Sequence, residues 1–541
     1  MMSLADLTSG VITGNNSIWL SLVCVFAALL LAGCASLPPQ PAAPSSAPAQ
    51  ETGATRLSRA LAPAIAEHPG LSGVYPLEHG TDAFAARMVL ATAAERTLDV
   101  QYYIWHPDDA GKLLANQLIQ AADRGVHVRL LLDDIGTNPM DARVLALDSH
   151  KNIEVRLFNP AVNRTFRKLN FLFEFGRLNR RMHNKSFTAD RQVTIIGGRN
   201  IGDEYFGIGP GIEFADMDVM AVGPVVDAAT ASFDLYWNSP SSVPIASLNR
   251  KKVSPEWTSQ QRAALATHCE AMRDSPYLRA ARDSRLMNEL REGKVALFWG
   301  RAWLAYDLPD KVTTSPEDRA THLIPQLRPV IDATEREVLI VSPYFVPGKS
   351  GVAFFQALRK RGVRVVVVTN SLAATDVAAV HAGYRRYRKA LLRAGVELYE
   401  FKATASLKEV SPTGKSAGGS GPGSSGASLH AKIFVFDQRI IFVGSLNLDP
   451  RSAALNTEIG AVLEVPDLAT REASGIEQNA LRNAYRLELV PGPGPCKECS
   501  RINWVSEENG TTTRYTREPG ASFGRRCLVR LLSLLPIESQ L

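Results

Sequence analysis

The chain has 541 residues, 45% of them hydrophobic and 21% charged, an ordinary globular composition and enough chain for two domains of normal size. Sixty Lys and Arg against 54 Asp and Glu leave a formal net charge of +6; spread over this length, so small an excess admits an anionic partner but does not call for a nucleic acid. The six cysteines lack the paired Cys/His clusters of a zinc site.

In chain order, the first element is an export signal over 1–34. Ile18 to Leu31 is an apolar run of about signal-peptide length, too short for a comfortable membrane span. It closes on Leu31-Ala32-Gly33-Cys34, which resembles a bacterial lipobox and so implies cleavage before Cys34 and lipidation of its thiol. A plain N-terminal membrane anchor is the alternative. Met1 to Asn16 carries Asp6 but no Lys or Arg, a departure from the usual basic start of such signals. Ala35 stands where an inner-membrane retention signal usually places Asp. The expected address is therefore the periplasmic side of the bacterial cell envelope, with the outer membrane favoured over the inner. Residues 35–56 read as a disordered Pro/Ala/Ser tether. In that oxidising compartment Cys496 and Cys499, in a Pro/Gly-rich stretch, are expected to form a small structural disulfide.

The body of the chain repeats itself. Leu98 to Ile104 reads as a buried strand, a helix follows from about Asp109, and Arg124-Gly125-Val126 leads into a second strand through Leu132. Val338 to Tyr344, a helix near Val352 and Arg361-Gly362-Val363 running on to Val368 repeat that order. In both, a glycine ends the helix and a β-branched run begins the next strand. Right-handed crossovers between parallel strands make each half an α/β layered domain. The expected division is a first half over 57–245, a connecting segment over 246–320, a second half over 321–490 and a C-terminal extension over 491–541. Within the second half, Lys415 to Ser428 is a Gly/Ser/Pro insertion, expected to be a flexible loop just before His430.

Each half carries one motif. The first reads His183-Asn184-Lys185, Asp190 and Gly197-Gly198-Arg199-Asn200; the second reads His430-Ala431-Lys432, Asp437 and Gly444-Ser445-Leu446-Asn447. In both, Lys follows His by two residues, Asp by seven and Asn by seventeen. A four-position match at identical spacing points to a two-histidine site for phosphodiester chemistry. His and Lys, two apart in a strand-like run, project from one face of a sheet. A phosphodiester is anionic and resists attack, so its site must neutralise the phosphate, supply a nucleophile and protonate the leaving alkoxide. One neutral histidine can attack phosphorus while the other, protonated, serves the leaving oxygen. Lys185 and Lys432 supply fixed charge, and Asn200, Asn447 and Ser445 are expected to bind phosphoryl oxygens. No metal and no other cofactor is needed. Asp190 and Asp437 complete the motif and are expected mainly to hold the turn and nearby backbone. Each histidine also needs an orienting carboxylate. Setting Asp216-Met217-Asp218-Val219 against Thr457-Glu458-Ile459-Gly460 so that Asp218 matches Glu458 makes Asp218 and Glu458 the expected orienters.

The doubled HxKxxxxD with its trailing GGxN or GSxN resembles the phospholipase D superfamily over nearly all of the chain after the tether. Arg181-Met182-His183-Asn184-Lys185, Gly197 to Phe206 and Leu531 to Glu538 look like the bacterial cardiolipin synthase C type within it. The resemblance implies two similar α/β halves, each a mixed sheet flanked by helices, sharing one active site at their interface. It also implies transfer of a phosphatidyl group to the headgroup hydroxyl of phosphatidylglycerol, with phosphatidylethanolamine as donor. Family precedent makes His183 the nucleophile and His430 the acid, although the near symmetry of the motifs leaves that order open. It also leaves open whether a helper protein is needed. The first motif departs in having Gly198 where the second has Ser445, which makes the halves chemically unequal.

A lipid substrate implies a membrane partner. Arg164 to Arg181 interleaves basic and aromatic residues and suits either an interfacial segment or a basic rim over an aromatic core. His381 to Arg393 reads as a basic, solvated helix face. Arg525, Arg526 and Arg530 before Leu531-Leu532-Ser533-Leu534-Leu535 suit a membrane contact or packing against the body. A phospholipase D hydrolase would use the same residues with water as acceptor. A nuclease of the superfamily is disfavoured by the export signal and small net charge, and a catalytically dead envelope protein by two complete His/Lys/Asn sets.

Overall fold

Short runs of Val, Ile and Leu, buried on both faces, set the frame of the molecule. The computed structural model describes residues 52–541 except 138–139, 165–166, 210–212, 249–252, 406–425, 493–499 and 509. The signal with Cys34, most of the tether, the Cys496–Cys499 pair and most of the Gly/Ser insertion lie outside the described residues. The first half contributes β1 (Ser72–Leu77), β2 (Thr97–Ile104), β3 (His127–Gly136), β4 (Ile153–Phe158), β5 (Ser186–Ala189), β6 (Val193–Gly197), a short β7 (Glu213–Ala215), β8 (Asp218–Val222) and β9 (Ser242–Pro244). Then come β10 (Phe298–Tyr306), β11 (Glu337–Val341), β12 (Arg364–Asn370), β13 (Glu397–Phe401), a short β14 (Ala427–Leu429), β15 (Ile433–Phe436), β16 (Ile440–Gly444), β17 (Ile459–Glu464), β18 (Ala484–Pro491), β19 (Ser500–Glu508) and β20 (Thr511–Tyr515).

The expected crossovers are present. β2 runs parallel to β3 and β11 parallel to β12, with the helices Asp109–Asp123 and Gly348–Lys360 between them. Gly125 and Gly362 close these helices at φ of 99° and 87°, a conformation that costs glycine little. Each half has the same strand order, in space β4-β3-β2-β5-β6-β8 and β13-β12-β11-β15-β16-β17. β1 pairs with β8, β10 pairs with β17, and β1 pairs with β10, so the two mixed sheets join edge to edge into one.

That pairing makes β10 the counterpart of β1. The second repeat therefore opens inside the segment expected to be a mere connector over 246–320. The signal was weak because Gly300 interrupts the run and β10 is only partly buried. Two further expectations are corrected. The end of the Gly/Ser insertion is not loose: Ala427 and Ser428 belong to β14, buried and paired in parallel with β7 of the first half. The segment His381 to Arg393 is not a solvated face either, because His381 and Arg388 are buried and the Arg388 guanidinium meets Glu400 at 2.8 Å and Glu518 at 2.8 Å. In the aromatic–basic segment, Arg164 pairs with Asp134 and Asp141, and Arg181 with Asp133, so these charges are neutralised within the protein. Among the described residues no helix is long and apolar enough to cross a membrane.

Asp190 and Asp437 do hold backbone. Both adopt positive φ, 50° and 53°, at the turn after their strand. The Asp190 carboxylate accepts the amides of Glu95, Arg96 and Thr97 at 2.7–3.2 Å, and Asp437 accepts those of Glu335, Arg336 and Glu337 at 2.7–2.9 Å. Each pins the start of the strand beside its own motif, β2 or β11. Leaving several amides without their acceptor costs about 1–3 kcal/mol for each one that stays buried and unpaired. Asp190→Ala is therefore expected to lower folding stability by about 3 kcal/mol in chemical denaturation while leaving kcat per folded molecule within a few-fold. Loss of turnover without loss of stability would assign Asp190 to the chemistry instead.

Candidate active site

The two catalytic segments are laid down by cross-half backbone pairing. His183 and Lys185 sit in extended chain just before β5, and His430 and Lys432 just before β15. The His183 amide donates to Thr457 O at 2.8 Å, and the Thr457 amide donates to Arg181 O at 2.9 Å. In the same way the His430 and Ala431 amides donate to Ala215 O at 2.8 and 2.9 Å. Each histidine is thus stitched to the segment of the opposite half that carries a carboxylate one residue further on.

The carboxylates follow that pairing. His183 Nδ1 lies 2.8 Å from Glu458 Oε2, and His430 Nδ1 lies 2.5 Å from Asp216 Oδ2. Glu458 is an orienter as expected, though of the histidine in the other half. Asp218 is not: its carboxylate accepts from Arg87 at 2.8 Å and from the Arg199 amide at 3.1 Å, within the first half. Ladder register explains the slip of two residues. Gly197 pairs with Asp218 and Gly444 with Gly460, which aligns Asp216, not Asp218, with Glu458.

Each lysine folds back over its own histidine segment. Lys185 Nζ donates to His183 O at 2.5 Å; Lys432 Nζ donates to His430 O and lies 3.0 and 3.2 Å from the two ring nitrogens. Both lysines and both carboxylates are buried. Tyr103 sets its edge toward His183 and Tyr205 toward His430, each with centroids 5.1 Å apart, and Phe214 stacks on His430.

Burial dominates the electrostatics. It brings His183 down to about 4, with Glu458 opposing and Lys185 assisting. It also lowers His430, helped by Lys432 and opposed by Asp216. Burial takes Lys432 down to about 8 and Lys185 well below the usual lysine value. The carboxyls of Asp216 and Glu458 move down although burial pushes the other way, because His430 and His183 respectively sit against them. Lys432 acts on His183 and Lys185 acts on His430, so the two motifs form one electrostatic site.

The expected phosphate ligands fare unequally. Asn200 is engaged: its Oδ1 accepts the Ile104 amide at 3.2 Å and its Nδ2 donates to Tyr205 at 2.8 Å. Asn447 is buried, and its Oδ1 has no partner among the described residues. The Ser445 hydroxyl is committed elsewhere, donating to Glu458 Oε2 at 2.5 Å and accepting the Ile459 amide at 3.0 Å. It braces the orienter of His183, which corrects the expectation that it binds phosphate. A Cβ at Gly198 would lie 2.2 Å from Asp216 Oδ1, so the first half has no room for the matching serine.

One residue of the supposed connector also belongs here. The Asp307 amide donates to Glu458 O at 2.9 Å, and its carboxylate accepts the Glu458 amide at 2.7 Å and the Leu323 amide at 2.6 Å. Lys311 Nζ meets the same carboxylate at 3.0 Å. Burial pushes Asp307 up to about 7 against the pull of Lys311. Asp307 therefore clamps the peptide groups on both sides of Glu458. Nothing in the sequence marked it, since the contact exists only once β10 lies beside β17. His106, Asp108 and Glu204 are, among the described residues, the one cluster of metal-like spacing. They form a partly buried group with a contact of 3.3 Å between His106 and Glu204, and the Glu204 carboxylate also feels His430.

Two pseudosymmetric halves that exchange His–carboxylate pairs across one site define a phospholipase D-like enzyme. The family model described as cardiolipin synthase, PLD-like domain, matches residues 89–210 and 327–478. Cardiolipin synthase C of Escherichia coli is 46% identical over 486 residues, 89% of this chain and 99% of that protein. The major cardiolipin synthase ClsA of Bacillus subtilis is 25% identical over 404 residues, 74% of this chain and 67% of that protein. In fold, the crystal structure of phosphatidylserine synthase from Haemophilus influenzae matches with a TM-score of 0.52 at 13% identity, over 79% of this chain and 90% of that one. The chain belongs to the phospholipase D-like cardiolipin synthase family, as a membrane-associated phosphatidyltransferase.

The crossed pairing makes Asp216, and not the expected Asp218, the orienter of His430. Asp216→Asn is expected to lower kcat about 1,000-fold by freeing the His430 ring. Asp307→Asn is expected to lower kcat about 100-fold with KM little changed, since it loosens Glu458 but touches no substrate. Steady-state kinetics on purified variants of confirmed fold check both; a Asp307→Asn enzyme altered only in KM would remove Asp307 from the positioning of His183.

Proposed function

We propose that this chain moves a phosphatidyl group from phosphatidylethanolamine to phosphatidylglycerol through a phosphohistidine on His183, without a metal. The observation that carries the reading is the pair of buried histidines, each held at Nδ1 by a carboxylate of the opposite half, with two lysines beside them. Nδ1 held in this way leaves Nε2 as the reactive nitrogen of each ring.

In the first step His183 Nε2 attacks phosphorus of the donor and the bond to the headgroup oxygen breaks. The proton on His430 goes to that oxygen, and the headgroup alcohol leaves. In the second step the acceptor hydroxyl gives its proton back to His430 while its oxygen attacks phosphorus, and the P–N bond to His183 breaks. Lys185 and Lys432 offset the charge on the non-bridging oxygens throughout. We assign the nucleophile to His183, whose Nδ1 is held by Glu458, a carboxylate itself braced by Ser445 and Asp307. We further propose that the chain acts at the cell envelope, tethered by lipid on Cys34 with the outer membrane favoured.

Purified chain in mixed phosphatidylethanolamine and phosphatidylglycerol micelles is expected to yield cardiolipin by mass spectrometry, and His183→Ala and His430→Ala none. Phosphatidic acid as the sole product would make water the acceptor. Activity lost to a chelator and restored by a metal would sink the mechanism. The pH dependence of kcat/KM, which reports the free enzyme, is expected to be bell-shaped. Because burial holds His183 down at about 4, its neutral form persists well below the usual histidine range. The acid limb should therefore fall below pH 6.5, toward 4, as His183 takes up a proton. An acid limb at or above 6.5 would show that burial does not keep His183 neutral.

A further inference from the structure

The C-terminal helix Phe523–Leu532 turns its larger apolar side outward. Its inner side is narrow: Val529 is buried against Leu372, Ala382 and Ala521, with Leu532 packed at the edge. Phe523 and Leu531 are 74% and 62% exposed, and Leu534 in the turn beyond is 80% exposed. At about 100° per residue, positions 523, 527, 531 and 534 fall on one stripe, and Cys527 within it is an exposed free thiol. Single exposed leucines are common on soluble proteins; a continuous outward stripe is not. Arg526 and Arg530 border the stripe on one side.

This helix stands one loop away from the site. Arg525 donates to Thr375 O, the adjoining Asp376 accepts the Tyr344 hydroxyl at 2.7 Å, and Asn370 at the head of that loop holds both backbone groups of Leu429 at 2.9 Å, next to His430. From the first half, the helix Arg167–Leu178 exposes Phe173 and Phe175, and Asn179 just past it donates to Gln540 at 2.6 Å. Exposed apolar groups from both halves therefore flank the segments that deliver His183 and His430.

We propose that the outward stripe of Phe523–Leu532, with its bordering arginines, seats this chain on an anionic bilayer beside the active site. The inference rests on the lipid substrates proposed above. A bilayer is favoured over a second copy of the chain because arginines rim the apolar stripe, as an anionic headgroup layer requires, and because the stripe adjoins a site whose substrates lie in that layer. The apolar residues enter the headgroup boundary and the arginines meet phosphates.

The test uses the full chain and the native thiol of Cys527. Maleimide labelling of that residue, read on its peptide by mass spectrometry, should be fast in buffer. On vesicles of phosphatidylglycerol and phosphatidylethanolamine it should slow at least tenfold. Leu531→Asp with Leu534→Asp, both at exposed positions, should restore fast labelling on the same vesicles. A tether at the N-terminus would hold the chain on vesicles without covering Cys527, so fast labelling of vesicle-bound wild type overturns the proposal. Protection in buffer that grows with protein concentration would instead give the stripe to a second copy, and also overturns it. His183→Ala should be protected like wild type. Protection without cardiolipin synthesis would therefore fault the proposed reaction and not the docking surface.

Discussion

Everything in the site depends on one exchange: each half lends its histidine to the carboxylate of the other. A histidine buried alone would be neutral but free to choose its tautomer and rotamer. Here a carboxylate fixes Nδ1, and a backbone hydrogen bond from the same histidine fixes the distance to the segment that bears the carboxylate. Neither half can assemble a working histidine by itself. The edge-to-edge junction of β1 with β10 follows as a structural need, since a small shift between the sheets would break both pairs together. Asp190 and Asp437 belong to the same scheme from below: they pin β2 and β11, against which β5 and β15 are laid.

Much of this could be read from residues alone, and the failures have physical causes. The βαβ units, the parallel runs and the doubled motif are local patterns, and all were legible. Asp216-Met217-Asp218 placed two acids on the same strand face, two residues apart, so side-chain parity could not choose between them. Only the ladder register of β6 against β8 decides it. Asp307 and β10 were illegible for another reason. Their importance comes from a pairing between distant segments, and nothing in Phe298–Tyr306 announces a partner in β17. The basic stretch His381 to Arg393 misled because arginines are usually solvated; Arg388 is buried among Glu400 of the next strand and Glu518 and Trp504 from far along the chain.

The two halves are alike in backbone and unlike in support. Glu458 is one methylene longer than Asp216 and leaves space at its base that Ser445 fills; Asp216 sits where such a side chain would stand, and Gly198 gives way. Glu458 also receives the Asp307 clamp, whereas Asp216 is held by the Arg199 guanidinium at its backbone oxygen and by the Met217 amide at Oδ1. In the proposed reaction the nucleophile is the ring whose carboxylate carries the Ser445 brace and the Asp307 clamp.

The proposed reaction needs one neutral and one protonated histidine, and charge balance lets so buried a site supply them. With both rings neutral, two lysines face two carboxylates and the site is close to uncharged, which is what burial favours. The phosphodiester brings one negative charge into this enclosure. Its arrival stabilises the lysine charges that burial had weakened and favours one added proton. In the proposed reaction that proton goes to His430, where Asp216 favours it against the opposing charge of Lys432. In that reaction the acid is charged by the substrate it acts on, while His183 keeps its lone pair for phosphorus.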